Sequence, residues 1–161
     1  MIFVILGTQK FQMNRLLIAV DELAACDVNL TFIAQTGFSD YMLKHCAFQH
    51  FFDKPVFDKY IAEAEIIVTH GGVSSIVTAL KHNKPVIICP RFAKYGEHVD
   101  DHQCEIASAF EKKGYALVCG EDSDLTAVIA QCRSQTFAKY ESSAEHVTQI
   151  INTFLNKNKK S

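Results

Sequence analysis

The segment Thr69-His70-Gly71-Gly72-Val73-Ser74-Ser75 places an imidazole, two glycines and two hydroxyls directly after the apolar run Ile66-Ile67-Val68. Glycines at such a point let backbone N–H groups approach a ligand closely, a helix starting at the serines offers its positive end, and Ser74 and Ser75 add hydroxyl donors. The chemistry is that of holding a phosphate or diphosphate. The same residues also suit a plain strand-to-helix turn with Ser74 as N-cap, and local chemistry leaves both readings open.

A second group, His98-Val99-Asp100-Asp101-His102-Gln103, follows one strand and one loop later. Asp and Gln accept and donate the hydrogen bonds that sugar hydroxyls make, with Asp100 or Asp101 capping a helix and Gln103 facing the ligand edge. His98, Asp100, Asp101 and His102 also form an alternative ligand set for zinc or manganese. A polar loop entering a helix is the plainer account, and no metal is expected. Arg91, Lys94 and Tyr95, just upstream, have the reach to meet an anion or an acceptor, or else line a solvated loop.

These groups need strands and helices to position them, and the chain supplies both in alternation. Short apolar, β-branched runs separated by segments of helical period predict an α/β domain, a Rossmann-like parallel sheet covered by helices on both faces. Strands are expected at Ile2 to Leu6, Val28 to Ala34, Phe48 to Phe52, Ile66 to Val68, Pro85 to Cys89 and Tyr115 to Cys119. Helices are expected after Asn14 as a cap, at Asp40 to His45, Val56 to Ala64, Ser74 to His82, Asp101 to Lys113 closed by Gly114, and Asp124 to Cys132. A last helix, about 141–156, carries Ala144, Val147, Ile150, Ile151, Phe154 and Leu155 on one face, which must lie against something apolar. In an open parallel sheet, ligands bind outside the carboxyl ends of the strands, where Gly7-Thr8-Gln9, His70-Gly71-Gly72, the stretch from Pro90 to Asp100 and Gly120 all fall.

Composition narrows the function. The 161 residues, 48% of them hydrophobic, read as a single domain, 1–161, able to bury its own core. A net charge of −2 gives no broad basic field, so general nucleic-acid binding is disfavoured. Six scattered cysteines without a CxxC pair suit a reducing cytoplasm. The apolar start Met1-Ile2-Phe3-Val4-Ile5-Leu6 lacks a basic flank and is too short to span a bilayer, so it reads as a strand of a soluble protein. A lone Gly7 and a second strand running into Ala34-Gln35 do not make a dinucleotide fingerprint, and no P-loop motif occurs.

Three quoted segments, Thr69 to Ser75, Ala79 to Arg91 and Tyr95 to Gln103, together resemble the C-terminal, nucleotide-sugar-binding half of GT-B glycosyltransferases, the glycosyltransferase family 28 C-terminal domain. Similar small proteins include bacterial exopolysaccharide and capsule glycosyltransferase subunits and the catalytic subunit of the eukaryotic UDP-GlcNAc transferase acting on lipid-linked oligosaccharide. The resemblance implies a UDP-sugar donor held without a metal. It matches Gly7 and Thr8 to the first phosphate-side loop, His70, Gly71, Gly72, Ser74 and Ser75 to the diphosphate segment, and Asp101 and Gln103 to the pair that reads the donor sugar. Uracil is expected between backbone groups near the fourth and fifth strands. Many relatives carry a ribose-binding Glu where this chain has Thr78.

Because a whole GT-B enzyme has two such halves, the resemblance also implies a partner. A membrane-anchored subunit would supply the acceptor half and hold this chain at the cytoplasmic face of the inner membrane, with the helix near 141–156 contributing to docking. The acceptor would be a polyprenyl-diphosphate-linked saccharide. His70 then stabilises the departing UDP, Asp101 serves the reacting sugar, and the base comes from the loop Arg91 to Asp101 or from the partner. The alternative is a non-catalytic binding or regulatory subunit of a membrane glycosyltransferase. A related UDP-sugar epimerase needs both halves in one chain, and this one is too short for it.

Overall fold

The computed structural model describes residues 1–141; from residue 142 onward, the helix expected near 141–156 lies outside the described residues. Six strands, β1 (Ile2–Ile5), β2 (Phe32–Gln35), β3 (Ala47–Gln49), β4 (Ile66–Thr69), β5 (Val86–Ile88) and β6 (Leu117–Val118), form one sheet in the order β3-β2-β1-β4-β5-β6. Every pairing is parallel. The five helices are α1 (Asn14–Cys26), α2 (Lys54–Glu63), α3 (Val73–Lys81), α4 (His102–Lys112) and α5 (Leu125–Ser134).

The central strands are buried on both faces, which is why they read as continuous apolar runs. Side chains alternate between two cores. Ile2, Val4, Leu6, Ile66 and Val68 pack against α1 and α5, while Phe3, Ile5 and Ile67 meet Ile61 of α2, Ile76 of α3 and Phe110 of α4. All six thiols are free. The sheet order reverses direction between β1 and β4, so the loops leaving those two strands part there and open a crevice.

Several local expectations are corrected. Asn14 is the first residue of α1 rather than its cap; its side chain instead accepts from Tyr41 N at 3.1 Å and donates to Asp40 at 2.6 Å. No helix forms over Asp40 to His45. The buried carboxylate of Asp21 takes the N–H groups of Lys44 (2.9 Å) and His45 (2.7 Å) and the Tyr41 hydroxyl (3.1 Å), so these donors turn away from an intrahelical pattern. β2 begins at Phe32 because Asp27 folds residues 27–30 into a turn, with Asn29 N donating to its side chain and Leu30 N to its carbonyl. β3 covers Ala47–Gln49, and α2 starts early, at Lys54, because Asp53 caps Val56 N at 3.0 Å and Pro55 suits a first helical turn. Gly114, with φ 71°, closes α4 as the sequence predicts.

Candidate functional site

A cleft of about 650 Å³ opens at the carboxyl edge of the sheet where the order reverses. Gly7, Thr8, His70, Gly71, Gly72, Ser74, Ser75 and Gln103, all singled out from the sequence, line it. Asp101 does not; its carboxylate accepts the Ala93 N–H at 2.8 Å, fastening the 3-10 turn Ala93–Tyr95. Gln35, Phe52, Lys54, Phe57, Asp58, Thr78, His102 and Ile106 are among the other lining residues. The lining thus extends over the start of α2, and no residue of β5 contributes to it.

The floor of the cleft is the start of α3. Its N-cap is Gly72, no side chain caps it, and its first turn holds no acid. The N–H groups of Val73, Ser74 and Ser75 find no acceptor among the described residues. An uncapped N-terminus of a nine-residue helix, open to a cleft, presents orphan donors and the positive end of the helix dipole to whatever enters.

His70 stands beside it, 4% exposed. Nδ1 lies 3.3 Å from the Ile5 carbonyl, an acceptor, so the proton of the neutral ring sits on Nδ1 and Nε2 keeps its lone pair. Burial, reinforced by the charge of Arg91, lowers the ring's pKa from 6.5 to about 4. The glycines around it make room for this ring. A Cβ on Gly72 would come within 2.4 Å of Nε2, and one on Gly7, whose φ is 72°, within 2.5 Å of Cε1.

Gly71 is held differently. Its N–H donates to Gln103 Oε1 at 3.1 Å, and a Cβ there would meet the Gln103 Cβ at 2.6 Å, so α4 packs directly on the turn. That N–H is therefore spent inside the protein, and the donors left for a ligand start one residue later. Gln103 Oε1 also accepts Arg91 N at 3.2 Å. Two backbone donors on one atom identify it as the oxygen and turn the amide nitrogen, which has no partner among the described residues, toward the cleft.

In the loop before α4, Glu97 is 1% exposed and grips Arg15 through both oxygens, at 3.2 and 3.1 Å, while accepting Phe92 N at 3.0 Å. Asp100 accepts from the Nδ1 atoms of His98, at 3.1 Å, and of His102. The His102 hydrogen bond is the first reason its carboxyl is held below the usual range. His98, Asp100 and His102 each bring one ligating atom within 4.8 Å of the others, so the metal alternative read from the sequence loses Asp101 and keeps these three. Among the described residues, no helix is long and apolar enough to cross a membrane.

The profile of the glycosyltransferase family 28 C-terminal domain matches residues 1–158. The UDP-N-acetylglucosamine transferase subunit ALG13 of Eremothecium gossypii is 36% identical over 76 residues, 47% of this chain and 36% of that protein. The chain thus spans about a third of that curated relative's length. A solution structure of ALG13 superposes with a TM-score of 0.62 at 19% identity, covering 92% of this chain and 93% of that one. The glycotransferase of kitacinnamycin gives the same TM-score at 16% identity over 83% of this chain and 35% of its own length. The sheet matches the C-terminal half of GT-B enzymes, and with nearly its whole length under the family profile, the chain belongs to the glycosyltransferase family 28 C-terminal domain family.

Proposed function

We propose that this chain is the donor-binding half of an inverting, UDP-sugar-dependent glycosyltransferase. The observation that carries the reading is the uncapped start of α3, facing a cleft at the sheet's reversal point with His70 and Ser75 beside it. A diphosphate seated there receives the N–H groups of Val73 to Ser75 and the helix dipole. The ring of His70, neutral when unliganded, gains a reason to protonate and to donate from Nε2. Gln103 and His102 line the adjoining wall, where donor-sugar hydroxyls would be read, and Phe52, Phe57 and Thr78 flank the nucleoside end.

In the transfer, an acceptor hydroxyl attacks the anomeric carbon, the bond from that carbon to the phosphate oxygen breaks, and UDP leaves with the bonding electrons. The α3 N-terminus and His70 stabilise the charge growing on the leaving diphosphate, and we assign that work to them rather than to a metal. The acceptor's proton goes to a base. The carboxylates of Glu97, Asp100 and Asp101 are each engaged by neighbours, which supports a base from a second, acceptor-binding half. The word subunit in the name of the curated relative supports the same two-part arrangement and makes UDP-GlcNAc the first donor to test. In this reading a membrane-anchored partner brings the chain to the cytoplasmic face of the membrane. There it would extend a polyprenyl-diphosphate-linked saccharide in exopolysaccharide or capsule assembly.

Calorimetric titration of UDP into the wild type and His70→Ala tests the site. Measurable binding that weakens in the variant is expected, and equal affinity, or none in either, would sink the assignment. A second reading, a non-catalytic binding subunit, is favoured by Thr78, whose hydroxyl donates to Ser74 O at 2.8 Å where many family members carry a ribose-binding acid. Co-expression with the partner separates the two: Gln103→Ala should abolish sugar transfer in a catalytic subunit and leave it intact in a regulatory one.

A further inference from the structure

Arg91 is fully buried, yet nothing in the transfer chemistry above uses it. Its Nη2 donates to the carbonyl of Leu6 at 2.8 Å and to that of Phe11 at 3.2 Å, the two residues that bracket Gly7-Thr8-Gln9-Lys10. One guanidinium nitrogen thus closes both ends of the first ligand-side loop. Its backbone N–H donates to Gln103 Oε1, the same atom that takes Gly71 N, so Arg91 also joins the β5 loop to the turn after β4 and to α4. Nε and Nη1 meet no acceptor among the described residues.

The nearby carboxylate of Glu97 acts on this charge only through space and makes no hydrogen bond to it. Glu97 has both oxygens on Arg15 and one on Phe92 N, and Arg91 donates to carbonyls instead. A buried guanidinium with three idle N–H groups on two nitrogens and no carboxylate hydrogen-bonded to it is costly to the fold. Its place in the molecule gives the cost a return, because it lies behind His70 and the Gly7 loop, close enough for its charge to reinforce the burial that keeps His70 neutral. A fixed positive charge beneath a cleft with low-dielectric walls raises the potential felt by an anion in it.

We propose that Arg91 is a positioning residue for the donor diphosphate: it pins the Gly7–Lys10 loop by both ends and supplies a buried positive charge, not hydrogen-bonded to any carboxylate, behind the phosphate site. The proposal rests on the donor-binding reading. It acts through the loop and the field and needs no direct contact with the ligand.

The test compares UDP, UMP and uridine in wild type, Arg91→Met and Arg91→Lys, with dissociation constants from amide-shift titrations and folding checked by far-UV circular dichroism. For Arg91→Met the expected result is a loss of about tenfold or more for UDP, a smaller loss for UMP, and uridine binding within about twofold of wild type, with a flatter salt dependence. Arg91→Lys keeps the charge without the fork and is expected to lose less for UDP, about threefold. UDP binding unchanged in Arg91→Met, or UDP and uridine losses in equal proportion in a folded variant, overturns the proposal. Should Arg91→Met not fold, the same comparison in Arg91→Lys decides, equal losses again being fatal. Failure of the wild type to bind UDP at all would instead remove the donor-binding reading.

Discussion

His70 makes the stability of the unliganded protein depend on pH in a way that can be worked out from its surroundings. The ring is 4% exposed and its pKa falls from 6.5 to about 4, first through burial and then through the charge of Arg91. The unfolded chain therefore binds this proton more readily than the folded one, so stability falls as pH drops from the unfolded value toward the folded one. Between neutral pH and pH 4.5 the loss amounts to about 2.5 kcal/mol, since each unit of pKa separation is worth about 1.4 kcal/mol. The perturbation is His70→Asn, which fills much of the same space and does not titrate. Urea unfolding followed by far-UV circular dichroism at pH 7 and pH 4.5 gives four stabilities, and other titrating groups cancel in the comparison. The wild type is expected to lose about 2.5 kcal/mol more than the variant over this interval. Parallel losses would refute the picture of a neutral, buried ring. Saturating UDP, by giving the ring an anionic partner, should shrink the difference.

Two further outcomes follow from the same geometry. Asp21→Ala strands the N–H groups of Lys44 and His45 and the Tyr41 hydroxyl, and should cost about 2–4 kcal/mol at neutral pH by urea unfolding. Burial opposes ionisation of this carboxyl, but the donors from His45, Lys44 and Tyr41 prevail and lower its pKa from 3.8. Its contribution should thus be complete above that value and fade as pH falls through the lower folded one. Ser74→Asp places an acid in a first turn that has none, on an exposed side chain. The fold should gain about 0.3–1 kcal/mol in thermal unfolding, while UDP affinity by calorimetry falls about tenfold through repulsion of the diphosphate.

What could be read from the sequence was what depends on near neighbours along the chain. The buried strands β1, β4 and β5, the glycine turn after β4 and Gly114 at the end of α4 are written in apolar runs and single glycines, and each falls where expected. Contacts distant in sequence account for several of the misses. Asp21 looks like an exposed helix residue until residues 41–45 are brought onto it. Phe52, expected to end a strand, lies beyond β3, and Lys54 opens α2 ahead of the expected Val56, although Asp53 followed by Pro55 is a legible start signal. Asp101 and His102 are neighbours in sequence, and a turn of the chain decides that His102 lines the cleft while Asp101 fastens Ala93. From the sequence Arg91 reads as a loop residue that reaches an anion or an acceptor or lies in solvent; its full burial and its hold on Leu6 and Phe11 exist only in the folded chain.

The central claim is that the open start of α3 holds a diphosphate. Titrating UDP into uniformly ¹⁵N-labelled protein and following the backbone amides tests it most directly. The account predicts the largest shifts at Val73, Ser74 and Ser75, with smaller ones at Gly7 and Thr8. Gly71, whose N–H is bound to Gln103, should move less, and the separate hollow of about 540 Å³ between Arg15 and Gly120 should stay silent. Shifts centred on that second hollow, or saturable binding that leaves Val73 to Ser75 unmoved, would contradict it.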